Sequence, residues 1–176
     1  MIEAQTIPVE LSWPELWLAI NAGVLRRLNG VRNRREEPYG ARPTAAWNDD
    51  INGSIAELAL AKYLGIFWSG TVGRLDLPDV GTLQVRSKTV TDHRLVVLKS
   101  DDDDKPFVSV LVGIPVCHLY GWMFARDAKK PEWLLPDPPK PDRFFVPNDA
   151  LEPMQKLRNG MSLVGLVPTM TEVAHQ

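Results

Sequence analysis

Glu57 is the one charged residue in the run IAELALA, residues 55–61, and its position demands a reason. An ionised carboxylate in an apolar setting is costly unless it is paired or holds a metal. On a helix, Gly53 and Ala61 lie one turn to either side, small enough to let a strand approach the carboxylate. Further along, Asp79 follows Pro78 and precedes LQVRSK, in which Gln84, Arg86 and Lys88 alternate with Leu83, Val85 and Ser87. That period of two predicts a strand with one polar face. An amide oxygen and two cations then stand in line, with Asp79 where the strand begins and Glu57 above on the helix. Oxygen ligands of this kind suit a hard divalent cation, Mg²⁺ or Mn²⁺, which activates water and screens phosphate charge. A neighbouring Lys or Arg stabilises the charge that builds up in phosphoryl transfer. Glu57, Asp79 and Gln84 are the candidate metal ligands, Arg86 and Lys88 complete the candidate catalytic set, and Asp76 is the substitute for Asp79. A plainer account stays open: Glu57 meets solvent or an Arg, Asp79 is ordinary turn chemistry, and LQVRSK is a half-exposed strand.

The order of these pieces, GSIAELALAKYLG, then LPDVG, then Gln84-Val85-Arg86, resembles the PD-(D/E)XK nuclease superfamily over residues 48–99. That family carries a Glu on a helix, an Asp often preceded by Pro, and a (D/E)-X-K strand. The resemblance implies a restriction-endonuclease-like α+β core, with a central mixed sheet of about five strands flanked by helices. It also implies Mg²⁺-dependent hydrolysis of phosphodiester bonds in DNA. Asp79 becomes the principal ligand, Glu57 assists, Gln84 replaces the second acid, and Arg86 or Lys88 takes the lysine role. Two departures matter. Gln84 offers a neutral oxygen and so weakens metal affinity, and Arg86 stays protonated and cannot act as a base, although Lys88 lies on the same face. The pattern therefore fits an active variant or a catalytically inactive relative that binds nucleic acid or a protein partner. Many such enzymes act as homodimers, but no residue here argues for one.

The elements that must position these groups follow from periodicity. Ser12 and Glu15 form a capping box ahead of Leu16, Ile20, Val24, Trp17 and Leu28, predicting a helix over 13–28 that Gly30 stops. A polar loop follows, and between residues 26 and 42 six Arg stand against Glu36 and Glu37. Arg32, Arg34, Arg35 and Arg42 could grip phosphates there while Tyr39 stacks on a base, or the loop is simply solvated. A second helix over 48–64, capped by Asn48 and ended by Gly65, is apolar nearly all round and should be buried on more than one side. Five strand-like runs come next, at 66–70, 80–90, 94–99, 107–114 and 116–125. A connection with six Pro leads to a short helix capped by Asn148 or Asp149, and MSLVGLVP could add an edge strand. The chain divides into 1–47, 48–126 and 127–176 as parts of one nuclease-like domain.

Composition narrows the classes further. Apolar residues are 44% and charged residues 24%, with 12 Gly and 15 Pro, which excludes wholesale disorder and collagen. A net charge of −2 excludes a protein basic throughout, although not a local basic patch. A single Cys117 excludes an intrachain disulfide and a cysteine zinc site, which suits a reducing compartment. With no basic start to the N-terminus and no apolar run of membrane-spanning length, the expected setting is cytoplasmic, away from membranes. Asp101 to Asp104 lack the ligand alternation of a calcium loop and read as a solvated connection. His93, His118 and His175 lack metal-ligand spacing, although His93 lies just past the candidate strand. Trp13, Trp17, Trp47, Trp68 and Trp122 suggest core or interface, whereas Trp133, in the Pro-rich stretch, is the one expected outside. Should tryptophan-rich faces drive oligomerisation without DNA, an assembly role replaces both nucleic-acid readings.

Overall fold

The computed structural model describes residues 6–33, 43–73, 77–91, 94–136 and 142–163. The chain is α+β, as expected, with a helical pair on one side of a mixed four-stranded sheet and a small three-stranded sheet beside it.

Helix α1 spans Trp13–Arg32 and α2 spans Pro43–Leu64. Both exceed their expected bounds. Gly30 does not stop α1, because it is buried beside the Arg27 guanidinium and tertiary packing outweighs the ~1 kcal/mol that a mid-helix Gly loses. Helix α2 begins at Pro43, where a missing N–H costs nothing in the first turn. Its end is as read: Gly65 takes a φ of 70° and the Ile66 N–H turns back to the Ala61 carbonyl. Residues 54–61 are all buried, as an apolar helix requires. The two helices cross at Gly23, where a Cβ would sit 2.6 Å from the Ile51 Cα. The close approach is thus supplied by α1, while Gly53 faces open space.

The main sheet has the order β1-β5-β4-β2, built from β1 (Ile7–Glu10), β2 (Gln84–Lys88), β4 (Pro106–Leu111) and β5 (Val116–Phe124). Strand β2 runs parallel to β4 and the other pairs are antiparallel. Strand β3 (Leu95–Leu98) leaves this sheet and pairs with β7 (Arg143–Val146), which also pairs with β6 (Leu134–Leu135). The single sheet of about five strands is therefore four plus three. The run at 66–70 forms no strand, since its Trp68 is buried against α2 rather than laid on a ladder. Asn148–Ala150 is a 3-10 turn, after which α4 runs over Met154–Leu163 and takes residues 161–163 out of the expected edge strand. A one-turn helix, α3 (Ala125–Ala128), closes β5.

Two apolar clusters lie on the two faces of the main sheet. Val85, Val108, Val110, Cys117 and Leu119 pack towards α1 and α2, while Phe107 and Met123 pack with Leu95, Val97 and Val146. Strand β4 is buried along Phe107 to Val110 because it is covered on both faces. Ser109 pairs with Gly121 and Val110 with Leu119, so Tyr120 is the extra residue of a bulge. Gly121 is required there: its φ is 156° and a Cβ would meet the Glu152 carbonyl at 2.7 Å. Of the tryptophans expected in core or interface, Trp68 is buried, but Trp13 and Trp17 are 72% and 69% exposed, while Trp133, expected outside, is half-buried against the second cluster. Helix α1 turns Ala19, Ala22 and Gly23 inward instead. Among the described residues, no helix is long and apolar enough to cross a membrane.

Because backbone faces backbone at the helix crossing, Gly23→Ala is expected to destabilise the fold by about 1–3 kcal/mol in urea denaturation. Gly53→Ala, at an open helical position, is expected to be neutral or mildly stabilising.

Candidate functional site

Glu57 is 4% exposed and bound from two directions. Arg26, on the last third of α1, donates from Nη1 to Oε1 at 2.5 Å and from Nη2 to Oε2 at 2.7 Å. The Trp68 indole N–H donates to Oε2 at 3.0 Å. The Arg26 Nε–H donates to the Thr71 carbonyl at 2.9 Å, tying the same guanidinium to the segment after α2. A fork of parallel N–H groups matches a carboxylate closely and is worth more where water is excluded. Although burial alone would lower it, the hydrogen bonds and charge of Glu57, followed by Asp79 and Asp50, hold the Arg26 guanidinium above its ordinary value.

Asp79 is held by the backbone that starts β2. Its N–H donates to the Leu83 carbonyl at 3.1 Å, and its Oδ2 accepts the Val85 N–H at 2.7 Å, bracketing Gln84. Burial, then the negative charge of Glu57, push the Asp79 carboxyl from 3.8 up to about 6, against the Val85 N–H and the Arg86 and Arg26 guanidiniums. Glu57 and Asp79, 22 positions apart in sequence, thus share one field with two arginines. A carboxyl that titrates near neutrality can hold or accept a proton at working pH.

The remaining candidates are distributed along β2. Gln84 is half-buried at its first position. Arg86 donates from Nη2 to both Asp101 carboxylate oxygens at 3.0 and 3.2 Å and from Nε to the Val96 carbonyl, and lies 4.6 Å over the Phe107 ring. Lys88 is 6% exposed, with Nζ 2.8 Å from Asn148 Oδ1 and 3.6 Å over the ring of the bulged Tyr120. The polar face of β2 is therefore a seam between the two sheets, where the plain strand reading would have put solvent. Arg32 is exposed in the last turn of α1. Arg34, Arg35, Tyr39, Arg42, Asp76 and His93 lie outside the described residues.

Three contributors escaped the sequence reading. Arg26 was counted with the basic loop, yet it falls on the helix face marked by Ala19, Ala22, Gly23 and Gly30, and a cation on a small-residue face needs an acid opposite. Trp68 was assigned to a core without a partner for its N–H. Asp101 belongs to no solvated connection: it takes Arg86 and the Leu98 N–H, while Lys129 binds its carbonyl and Asp103.

The chemistry of the donor set separates the three candidate metal ligands. Both Glu57 oxygens are taken by Arg26 and Trp68, which leaves Glu57 the holder of Arg26. Asp79 and Gln84 offer oxygens of the kind a hard divalent cation prefers, one anionic and one neutral. Among the described residues, no three His, Cys, Asp or Glu side chains gather to hold a metal ion.

Two outcomes follow. Since Asp79 keeps its proton to higher pH in the folded chain than in the unfolded one, its contribution to stability is complete below about pH 4 and lost as pH rises through about 6. Asp79→Asn, which keeps an acceptor for the Val85 N–H, should flatten that pH dependence and stabilise the protein at neutral pH by about 1–3 kcal/mol in urea titrations. Arg26→Met strands a buried carboxylate and should cost about 3–5 kcal/mol, whereas Arg26→Met with Glu57→Met should recover most of the loss. Compared with known proteins, the chain matches no family model, no curated protein and no solved structure.

Proposed function

We propose that this protein is a metal-dependent nuclease of the PD-(D/E)XK type, hydrolysing phosphodiester bonds in DNA. The observation that carries the reading is the shared electrostatic site of Glu57 and Asp79, one from the middle of a buried helix and one from the turn that opens a polar-faced strand. In this reading the α1–α2 pair and the main sheet form a restriction-endonuclease-like core. Asp79 and Gln84 hold Mg²⁺ or Mn²⁺, which when bound supplies a Lewis acid and an activated water. Asp79, with a carboxyl near 6, gives up its proton readily at neutral pH and is available as an anion. Glu57 is a positioning residue that orients Arg26. Arg86 is fixed by Asp101 and Phe107 and places positive charge beside Asp79, where a phosphate would gain it. Lys88, packed on Tyr120, anchors the strand rather than serving as the base.

A second reading rests on a specific observation: Glu57 and Arg86 are each closed by oppositely charged partners, which leaves Asp79 as the one anionic ligand beside the neutral Gln84 among the candidate set. A chain in that state binds nucleic acid without cutting it.

Cleavage of plasmid and oligonucleotide DNA with Mg²⁺ and Mn²⁺, together with Mn²⁺ titration calorimetry, separates the two. The nuclease reading expects cutting by wild type and a loss of at least about 10²-fold in folded Asp79→Ala. Gln84→Glu should tighten Mn²⁺ binding. Salt-dependent DNA binding with neither cleavage nor Mn²⁺ uptake would establish the second reading instead.

A further inference from the structure

A cleft of about 560 Å³ opens where β2 faces the small sheet, lined among others by Lys88, Arg94, Glu132, Trp133, Leu135 and Phe145. That volume is in the range of small-molecule sites. Its lining combines two chemistries. Trp133 and Phe145 supply aromatic surface on which cations already stack: Lys130 Nζ lies 4.5 Å over the first ring and the Arg143 guanidinium 5.6 Å over the second. Arg94 is exposed and, among the described residues, has no ion-pair partner, in contrast to Arg26 and Arg86. Glu132 is likewise exposed and without an ion-pair partner among the described residues. Lys88 is buried in the lining, held by Asn148 and Tyr120.

A matching ligand needs a flat π face for the two rings, an anionic group for Arg94, and an N–H donor for Glu132. We propose that the cleft holds one unpaired nucleotide of single-stranded DNA. Its base lies against Trp133 and Phe145, its phosphate meets Arg94, and an N–H group of the base is accepted by Glu132. A base paired in a duplex cannot present that face, so the cleft selects for single strands or frayed ends. The identity of the polymer rests on the nucleic-acid reading above, whereas the nucleotide chemistry of the cleft stands on its own residues.

The test uses the full chain and two variants checked for folding, Arg94→Ala at an exposed position and Trp133→Leu at a half-buried one. Three measurements are compared: anisotropy with a labelled single strand of about 12 nucleotides and its duplex, tryptophan quenching by deoxynucleoside monophosphates, and duplex cleavage. Wild type should bind the single strand and be quenched by the monophosphates. Trp133→Leu should weaken single-strand binding about 10-fold, and Arg94→Ala should weaken it and lower the salt slope by about one contact. Unchanged single-strand binding in both variants overturns the proposal, and if the duplex is still cut the nuclease reading survives it. Equal quenching by acetate or free glutamate also overturns it, by identifying a general anion site. Nucleotide quenching that is lost in the variants of a protein that cuts nothing upholds the cleft and removes hydrolysis.

Discussion

The bidentate pair between Arg26 and Glu57 is the interaction on which the helical layer depends. Taking both charges out of water costs several kcal/mol for each ion, and only close geometry with every lone pair used makes such a pair tolerable. Here both Glu57 oxygens accept hydrogen bonds, from a cluster of groups contributed by three separate parts of the chain. Arg26 comes from α1, Glu57 from α2, and the Trp68 N–H and Thr71 carbonyl from the segment after α2. Because each partner is costly when left alone, the pair sets how α1 lies along α2 more narrowly than apolar contact would. Gly23 allows the approach by removing the side chain that would keep the helices apart. By comparison, Glu15 with Lys62 joins the same helices near the surface, where screening leaves little net stabilisation.

The sheet layer follows a related logic. Strand β2 is an edge of the main sheet, and its polar side chains would ordinarily face water. Here the small sheet turns over that edge, so Arg86 and Lys88 must find partners as they lose solvent. Asp101, the Val96 carbonyl and Phe107 receive Arg86, and Asn148 and Tyr120 receive Lys88. The bulge at Tyr120 and the glycine after it belong to this arrangement, since they let β5 shift register while its backbone meets Glu152. A seam lined with cations, carbonyls and aromatic rings results, and it continues into the cleft around Arg94 and Trp133.

A few charges are therefore placed where layers meet. The chain as a whole is slightly acidic, yet Arg26, Arg86 and Lys88 all lie in partly dry surroundings beside carboxylates, carbonyls or rings. Asp79 shows the consequence: desolvation and the Glu57 charge outweigh two guanidiniums and a backbone N–H, and its carboxyl moves up to about 6. An acid in that range responds to small changes in its surroundings, including the approach of a cation or a phosphate.

Local chemistry in the sequence determined the two helices, the α2 terminus at Gly65, four of the strands, and the association of a buried helical Glu with an Asp that opens a polar-faced strand. Each of these depends on short-range signals, namely caps, period-two alternation, and the cost of a charge in an apolar run. Strands β1, β6 and β7 were not legible, because two or four residues beside or containing a proline carry almost no periodicity until a distant partner pairs with them. Nor could alternation alone tell a solvated strand face from one covered by a second sheet. Only the tertiary structure decided which cation answers each carboxylate. Arg26 rather than a metal closes Glu57, and Asp101 rather than solvent closes Arg86, because those pairings follow from which faces pack together, and packing is settled across the whole chain rather than within any one segment.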